Sequence, residues 1–540
     1  MRLTPMPGRG PRGRLLAVIV MIAGLAGLMG LPVMASPASA STAGRAAARP
    51  HPHRHPSRAA ARQSPPRVTL GWGANGFGQL GDGATGTIST TPVRTALPEG
   101  VTFTQVAGGA LHTLGRASDG RVFAWGDNTY GQLGDGTTTA SPTPVETRLP
   151  AGVTIKQVAA ANYYSLAVAT DGRVFAWGNN FYGQLGDGTT FNRDTPVEVH
   201  LPAGVTIEQV ACNSYFSFAL STDGHVYAWG WNAAGMLGDG TTTDRHTPVR
   251  TLIPEGVTIT QIAAGESHGL GRASDGRVYA WGANYKGEIG DGGDPTQFHL
   301  TPVTVALPQG VSITNVAAGL RFSLGVASDG RVFGWGSNVF GQVGDGGTTD
   351  RYTPVQTDIP AGVTIIRVAA GADHGLGLAS DGRVYSWGGN HSGQLGDGTR
   401  TNRLTPAEVA LPGDVVKVTA IGTGVSYSLV VAETRESATT LKAEPAKAAE
   451  GRTVTLTAHV TCTGRTPNGA VTFSDGRRGL GTATVRDGVA ALTVRTLAVG
   501  RHTITAHYNG NADCPPSSGS TTVVIQRAHQ PRRPIVPVTG

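Results

Sequence analysis

The 540 residues include 79 glycines, only 15% charged residues and no long stretch of helical periodicity, which excludes a helical bundle and indicates an all-β protein. The net charge of +7 is unevenly placed: residues 1–66 carry nine arginines and no acid, whereas residues 67–436 carry 22 basic against 31 acidic side chains. That acidic balance excludes a nucleic-acid-binding body, which needs its Lys and Arg on the surface that meets phosphate.

Residues 1–40 have the pattern of an export signal. A basic stretch through Arg14 precedes an apolar run from Leu15 to Leu31, and Ala38-Ser39-Ala40 supplies a small-residue cleavage site after Ala40. The run is nearly long enough to span a bilayer, so an uncleaved anchor is the competing reading; Pro32, Pro37 and the A-x-A pattern favour cleavage. No Arg-Arg pair is present, and the general secretory route is expected. Residues 41–66 are Ala, Arg, Pro and His with almost nothing to bury, and are expected to form a disordered basic linker. His51, His53 and His55 belong to that solvated tether rather than to a metal site. The mature chain is expected in the extracellular space or cell envelope, without membrane contact after cleavage.

Between residues 67 and 433 a phrase close to WGxNxxGQLGDGT occurs seven times, with tryptophans at Trp72, Trp125, Trp177, Trp229, Trp281, Trp335 and Trp387. Their spacing of 52 to 54 residues implies a seven-bladed β-propeller of four short strands per blade. Within one unit, QVAGGALHTLGRASDGRVFAWG holds two β-rich runs joined at Asp119-Gly120, the signature of a two-residue hairpin with positive φ at both central positions. The pair recurs at Asp171-Gly172, Asp223-Gly224, Asp275-Gly276, Asp329-Gly330 and Asp381-Gly382. The seventh hairpin is split between the ends of the region. VTLGWG at Val68–Gly73 should pair with IGTGVSYSLVV at Ile421–Val431, closing the ring and removing open sheet edges. The tryptophans are expected to pack between blades. Gly109, Ala161, Gly265, Gly319, Gly371 and Gly424 suit crowded inner strands, and Cys212 reads there as a buried thiol.

Two motifs look chemical and are not. Gly76 to Gly81 fits G-x-G-x-x-G but precedes no helix, so nothing supplies the N-terminus that would hold a pyrophosphate. The GDG aspartates (Asp82, Asp135, Asp187, Asp239, Asp291, Asp345 and Asp397) offer one carboxylate per turn, too few for calcium, and are read as caps of their own turns. No nucleophile elbow and no H-E-x-x-H occur. No catalytic, cofactor-binding or metal residues are therefore expected.

From residue 437 to 526 the sequence alternates Thr and apolar residues over about seven strands, which suits an immunoglobulin-like β-sandwich. Cys462 and Cys514 are expected to form a disulfide in an oxidising compartment, with two free thiols as the alternative. Residues 527–540 form an expected disordered tail ending VPVTG. Its likeness to a sortase signal, with Val536 in place of Leu, is either chance or the remnant of a truncated signal.

The sevenfold DGRVFAWGxNxxGQLG wording resembles the regulator of chromosome condensation repeat family over residues 67–433, and implies that family's seven-bladed propeller. GxVTFxDG followed by LTxxxLxxGxHxITAxY resembles bacterial immunoglobulin-like repeats over 437–526. The family's exchange factors contact a small GTPase through residues between the Gly and His of a GxxHS segment, together with a protruding wedge. Here those positions hold only two acids, Glu266 and Asp373, and the constant spacing leaves no room for a wedge, so nucleotide exchange is not expected. Light sensing of the kind found in a plant member of the fold would need a tryptophan cluster that this face lacks.

A closer resemblance is to exported propellers that inhibit β-lactamases through aromatic and acidic loop residues. It implies a face of Tyr163, Tyr164, Tyr215, Phe216, Glu266, Arg321, Phe322, Asp373 and Tyr427. Tyr163, Tyr215, Glu266, Arg321 and Asp373 vary between copies and are the candidate protein-binding residues. The position that repeats as His or aromatic (His112, Tyr164, Phe216, His268, Phe322, His374 and Tyr427) has packing as its competing reading. The expectation is a monomeric, exported, non-enzymatic scaffold that binds a protein partner and no nucleic acid. An inhibitor of a secreted or cell-envelope enzyme such as a β-lactamase is the alternative, and an enzyme of unknown reaction a distant third.

Overall fold

The computed structural model describes residues 66–527; the export signal with its Ala40 site, the linker up to Pro65 and the tail beyond Arg527 lie outside the described residues. Within that range the secondary structure is strand, turn and coil alone. β3 (Phe103–Gly108), β4 (His112–Ala117), β5 (Val122–Gly126) and β6 (Ser141–Glu146) form the first antiparallel blade. Five more follow the same order: β7 to β10 (Ile155–Ala160 through Arg193–Glu198), β11 to β14 (Ile207–Asn213 through Arg245–Arg250), β15 to β18 (Ile259–Ala264 through His299–Thr304), β19 to β22 (Ile313–Ala318 through Arg351–Gln356) and β23 to β26 (Ile365–Ala370 through Arg403–Glu408).

The seventh blade is assembled from both ends of the repeat region. β27 (Val415–Thr423) and β28 (Tyr427–Thr434) are completed by β1 (Arg67–Asn75) and β2 (Thr87–Arg94). β1 pairs with β28 from Arg67 opposite Glu433 to Gly73 opposite Tyr427. Closure in this manner leaves the ring without a seam of unpaired strand.

Each repeated tryptophan is fully buried, and its indole N–H donates at 2.8 to 2.9 Å to a backbone carbonyl of the preceding blade. Trp177 Nε1, for example, meets the Gln132 carbonyl, and Trp72 meets that of Gln394, so the same clip also fastens the closing blade. Each ring removes roughly 200 Å² from water, worth on the order of 5 kcal/mol as an upper bound. A second tie joins the inner strands: the Gln105 amide both donates to the Val158 carbonyl and accepts from its N–H, and Gln157, Gln209 and Gln261 repeat this.

The Asp-Gly hairpins differ from the expected two-residue turn. Only the glycine has positive φ (Gly120 at 86°), Gly120 N–H returns to the Ala117 carbonyl, and Ala117 N–H reaches Arg121. That is a type I turn closed by a glycine bulge, in which the aspartate keeps ordinary backbone angles and caps the turn by accepting from Arg121 N–H.

After the ring, β29 (Ser437–Glu444), β31 (Val454–Cys462) and β34 (Val489–Val494) pack against a five-stranded sheet. This second sheet runs in the order β30 (Lys447–Ala449), β36 (Ser517–Gln526), β35 (Gly500–Tyr508), β32 (Gly469–Asp475) and β33 (Arg478–Val485). The sandwich therefore has eight strands rather than about seven; the addition is β30, three residues paired parallel to β36. Leu456, Phe473, Ile504 and Tyr508 fill its core. Cys462 and Cys514 are disulfide-linked with Cα atoms 6.0 Å apart, and closing a loop of 52 residues is worth about 4 kcal/mol in the chain-entropy model.

Candidate functional site

Alternating strand direction gives the ring two unlike ends. The Asp-Gly turns and the connections between blades lie at one end, where β1 begins and β28 leaves. Loops joining first to second and third to fourth strands lie at the other. Charge follows the same division. The Asp-Gly end carries sixteen acidic against fifteen basic side chains, and the opposite end fifteen against seven.

At the Asp-Gly end the charges satisfy one another in a repeating pattern. Arg121 pairs with Asp119 and Glu146, Arg173 with Asp171 and Glu198, and Arg383 with Asp381 and Glu408. The guanidinium groups also lie over Phe123, Phe175 and Tyr385, at 5.1 to 5.6 Å from the ring centres.

At the opposite end, polar anchors hold the loops from beneath. In the second blade buried Asn180 accepts from Leu185 N–H and donates to Asp187, which in turn caps Thr189 and pairs with Arg193. The GDG aspartates are thus consumed by their own turns. Buried Gln132 and Gln184 accept the N–H groups of Tyr130 and Tyr182 at 2.8 Å, fixing the backbone from which those rings project. Gly131 has φ of +83°, and a Cβ there would lie 2.5 Å from Asp194 Cα, so the loop of one blade is seated directly on the next.

On these loops the side chains that do not repeat form an arc. Tyr130 meets Tyr163 (5.5 Å between centres) and Phe181 (5.9 Å); Tyr182 meets Tyr215 (5.1 Å) and Trp231 (6.0 Å); Tyr215 and Trp231 stand edge to face at 6.2 Å. Phe181 is 60% exposed and Phe191 71%, unusual for large apolar side chains on a well-packed frame. Burial raises the Tyr215 phenol pKa, with Tyr163, Tyr182, Tyr130 and Glu266 adding to it. Beyond Trp231 the rim becomes charged: Arg321 Nε donates to Glu266 at 3.2 Å and its guanidinium lies 5.9 Å from the Tyr285 ring. Asp373 follows, its carboxyl pKa raised by desolvation against the nearby His391.

The structure therefore sorts the five candidate residues into two neighbouring groups, Tyr163 with Tyr215, and Glu266 with Arg321 and Asp373. Four other residues implied for the face do not reach it. Tyr164, Phe216, Phe322 and Tyr427 are fully buried, as are His112, His268 and His374. Their position opens the second strand of each blade, directly under the rim, and turns inward to the neighbouring blade. Tyr164 Oη donates to the Phe216 carbonyl, and His112, His268 and His374 each place Nε2 within 3.0 Å of Ser165, Ser323 or Ser428. Each serine hydroxyl already donates to a carbonyl, so the histidine must donate through Nε2–H, which leaves Nδ1 bare and unpartnered. Burial lowers their pKa values to about 4, 3 and 3.

Tyr130, Phe181, Tyr182 and Trp231 were not among the sequence candidates. They follow the repeated Trp-Gly at differing offsets, and the available signal was that a frame residue in one copy becomes aromatic in another, as with Trp231 where other units have Asp127 or Asn179. Glu288 is a second omission, a buried carboxyl at the place of Gln132 and Gln184, raised to about 7 by desolvation. Cys212 is a free thiol on the inner strand β11, half-buried beside a central cavity of about 290 Å³ rather than fully enclosed. Among the described residues no cluster of His, Cys, Asp and Glu could hold a metal ion, and no helix is long and apolar enough to cross a membrane.

Family models match along the chain: an RCC1-like domain over residues 67–254, regulator of chromosome condensation (RCC1) repeats over 275–326, 329–378 and 381–431, and a bacterial Ig-like domain (group 3) over 441–526. The ultraviolet-B receptor UVR8 of Arabidopsis thaliana is 33% identical over 340 residues, covering 63% of this chain and 77% of the receptor. The E3 ubiquitin-protein ligase HERC2 of Homo sapiens is 31% identical over 66% of this chain, but the match spans only 7% of the ligase. Crystal structures of human WBSCR16 and of Prp20p from Saccharomyces cerevisiae superpose with TM-scores of 0.61 at 24% identity. Each covers 68% of this chain, and 99% and 92% of the respective solved chain, and shows the fold alone.

Proposed function

Because the chain belongs to the regulator of chromosome condensation repeat family and carries a bacterial immunoglobulin-like domain, we propose that it is an exported protein-interaction scaffold. It binds a protein partner through the aromatic face of its propeller. The observation that carries this reading is the arc of Tyr130, Tyr163, Phe181, Tyr182, Tyr215 and Trp231, presented on loops pinned by buried amides. Aromatic rings with few rotatable bonds, held by a rigid frame, supply contact area at low entropic cost. The ligase activity named for HERC2 does not transfer, because this chain corresponds to 7% of that protein. The light response named for UVR8 gains no support either: seven of the eight tryptophans are buried in the frame, and Trp231 stands alone on the face. Export is supported by the sequence pattern ending at Ala40, the disulfide and the bacterial Ig-like domain.

The test is capture from the exoproteome of the source cells by the full chain and by the combined Tyr163→Ala, Tyr215→Ala and Asp373→Ala variant. Capture of the partner should fall at least about tenfold, since central aromatic anchors each contribute upwards of about 1 kcal/mol. Unchanged capture by a variant that melts like the parent chain would move the site elsewhere.

A further inference from the structure

The acidic balance of the propeller belongs almost wholly to the aromatic face, where fifteen acids meet seven Lys and Arg. Several of those acids are left without a cationic neighbour. Asp187, Asp239, Asp345, Asp350, Asp397 and Glu266 pair with Arg193, Arg245, Arg351, Lys286, Arg403 and Arg321, whereas Asp127, Asp135, Asp194 and Asp244 bond only to amides, hydroxyls or solvent. Asp194 is exposed beside the Tyr130 loop, and Asp127 lies close enough to Tyr163 to help raise its phenol pKa. Negative charge and exposed aromatic rings therefore occupy the same ground.

We propose that this face takes a cationic segment of the partner protein, with Lys or Arg side chains stacked on the Tyr182, Tyr215 and Trp231 rings and paired with the adjacent acids. This rests on the protein-binding reading above and names its chemistry. The molecule already contains the recognition unit in miniature: Arg321 lies over Tyr285 and bonds to Glu266 at 3.2 Å. An aromatic face attracts a cation through its quadrupole, most strongly at Trp, and a nearby carboxylate adds a charge-assisted hydrogen bond. A neutral or acidic partner would leave the unpaired acids uncompensated or repelled.

Fluorescence anisotropy of a labelled nona-arginine peptide with the full chain tests this directly, with nona-glutamate as the control. Binding of nona-arginine alone is expected, weakening severalfold between about 50 and 300 mM salt as screening shortens from roughly 14 to 6 Å. Trp231→Ala and Asp194→Asn should each weaken it by about fivefold, whereas Glu198→Gln at the Asp-Gly end should not change it. Equal binding of nona-glutamate, or equal loss in Glu198→Gln and Trp231→Ala, would overturn the proposal. Tighter binding by a chain lacking residues 41–65 would assign the acids to this chain's own arginines and overturn a separate partner. Failure of nona-arginine to bind while the Tyr163, Tyr215 and Asp373 variant still loses partner capture would refute the cation and leave the face standing. Failure of both would refute the face as well.

Discussion

The two ends of the propeller are built from the same repeats and differ in what the repeats leave unsatisfied. At the Asp-Gly end, arginine, aspartate and glutamate recur together in three blades and neutralise one another there. At the other end the recurring Asn, Gln and Asp are spent holding the loops, and the side chains placed on those loops differ from blade to blade. Charges that are paired within the blade have less to offer a ligand. Variation confined to positions held by an invariant frame is what a binding surface needs, because the frame fixes the geometry and the variable residues choose the partner.

The sharpest consequence of this difference lies in acid. His112, His268 and His374 lie directly under the aromatic rim, and burial holds their pKa values at about 4, 3 and 3 against an ordinary 6.5. The folded ring thus binds fewer protons than the unfolded chain across that interval, and stability falls as pH drops below 6.5. Near pH 5 the loss is about 2 kcal/mol per histidine and about 6 kcal/mol for the three together, the largest combined effect expected here. The Asp-Gly end behaves otherwise. Hydrogen bonds from the Arg121 side chain and from Arg331 N–H hold Asp119 and Asp329 below the usual carboxylate range, so their contribution is lost only below about pH 3.8. Replacing His112, His268 and His374 with Phe, the residue already present as Phe216 and Phe322, should flatten the fall in Tm between pH 7 and 5. An equally steep fall in the triple variant would show that other groups carry the acid sensitivity.

Glu288 extends the comparison within the aromatic end. It replaces the glutamine of other blades, is buried, and has its pKa raised from 4.5 to about 7 by desolvation, which the nearby Arg321 only partly offsets. Here the folded state holds a proton that the unfolded state has released, so the carboxyl costs stability as pH rises from 4.5 through 7, at most about 3 kcal/mol above that range. Glu288→Gln should therefore raise Tm at pH 8 and leave it nearly unchanged at pH 4.5; equal melting of both proteins at pH 8 would refute the shift.

How far such features can be read in advance depends on whether they repeat. The ring, its closure and the burial of the tryptophans were legible because one unit is written seven times, so that chance is averaged away. Glu288 and Trp231 each occur once, and only their environment gives them meaning: a carboxyl under the rim, an indole packed edge to face on Tyr215. The expected face erred for a related reason. Tyr164, Phe216, Phe322 and Tyr427 adjoin the true rim residues in sequence, yet one step along a strand reverses the direction of a side chain and turns them into the interface between blades. The turn geometry at Asp119-Gly120 was misjudged because the same dipeptide also serves a type I turn with a glycine bulge, in which only one residue needs positive φ.

The smallest expected effect tests the other half of the comparison. Glu146, Glu198 and Glu408 accept from Arg121, Arg173 and Arg383 at 3.0, 3.4 and 3.1 Å, and each side chain is about half exposed. Solvent screens such pairs, and each is worth no more than a few tenths of a kcal/mol. Combined Glu146→Gln, Glu198→Gln and Glu408→Gln substitution should shift Tm by no more than about 2 °C and leave partner capture unaltered. The variant removes three negative charges from the ring, so it also separates two ways in which acidity could act. If capture weakens, attraction arises from the total charge of the propeller and the division between its ends is immaterial. If capture holds while Asp194→Asn weakens nona-arginine binding, attraction is local, set by the few acids that the repeat leaves unpaired beside the aromatic arc.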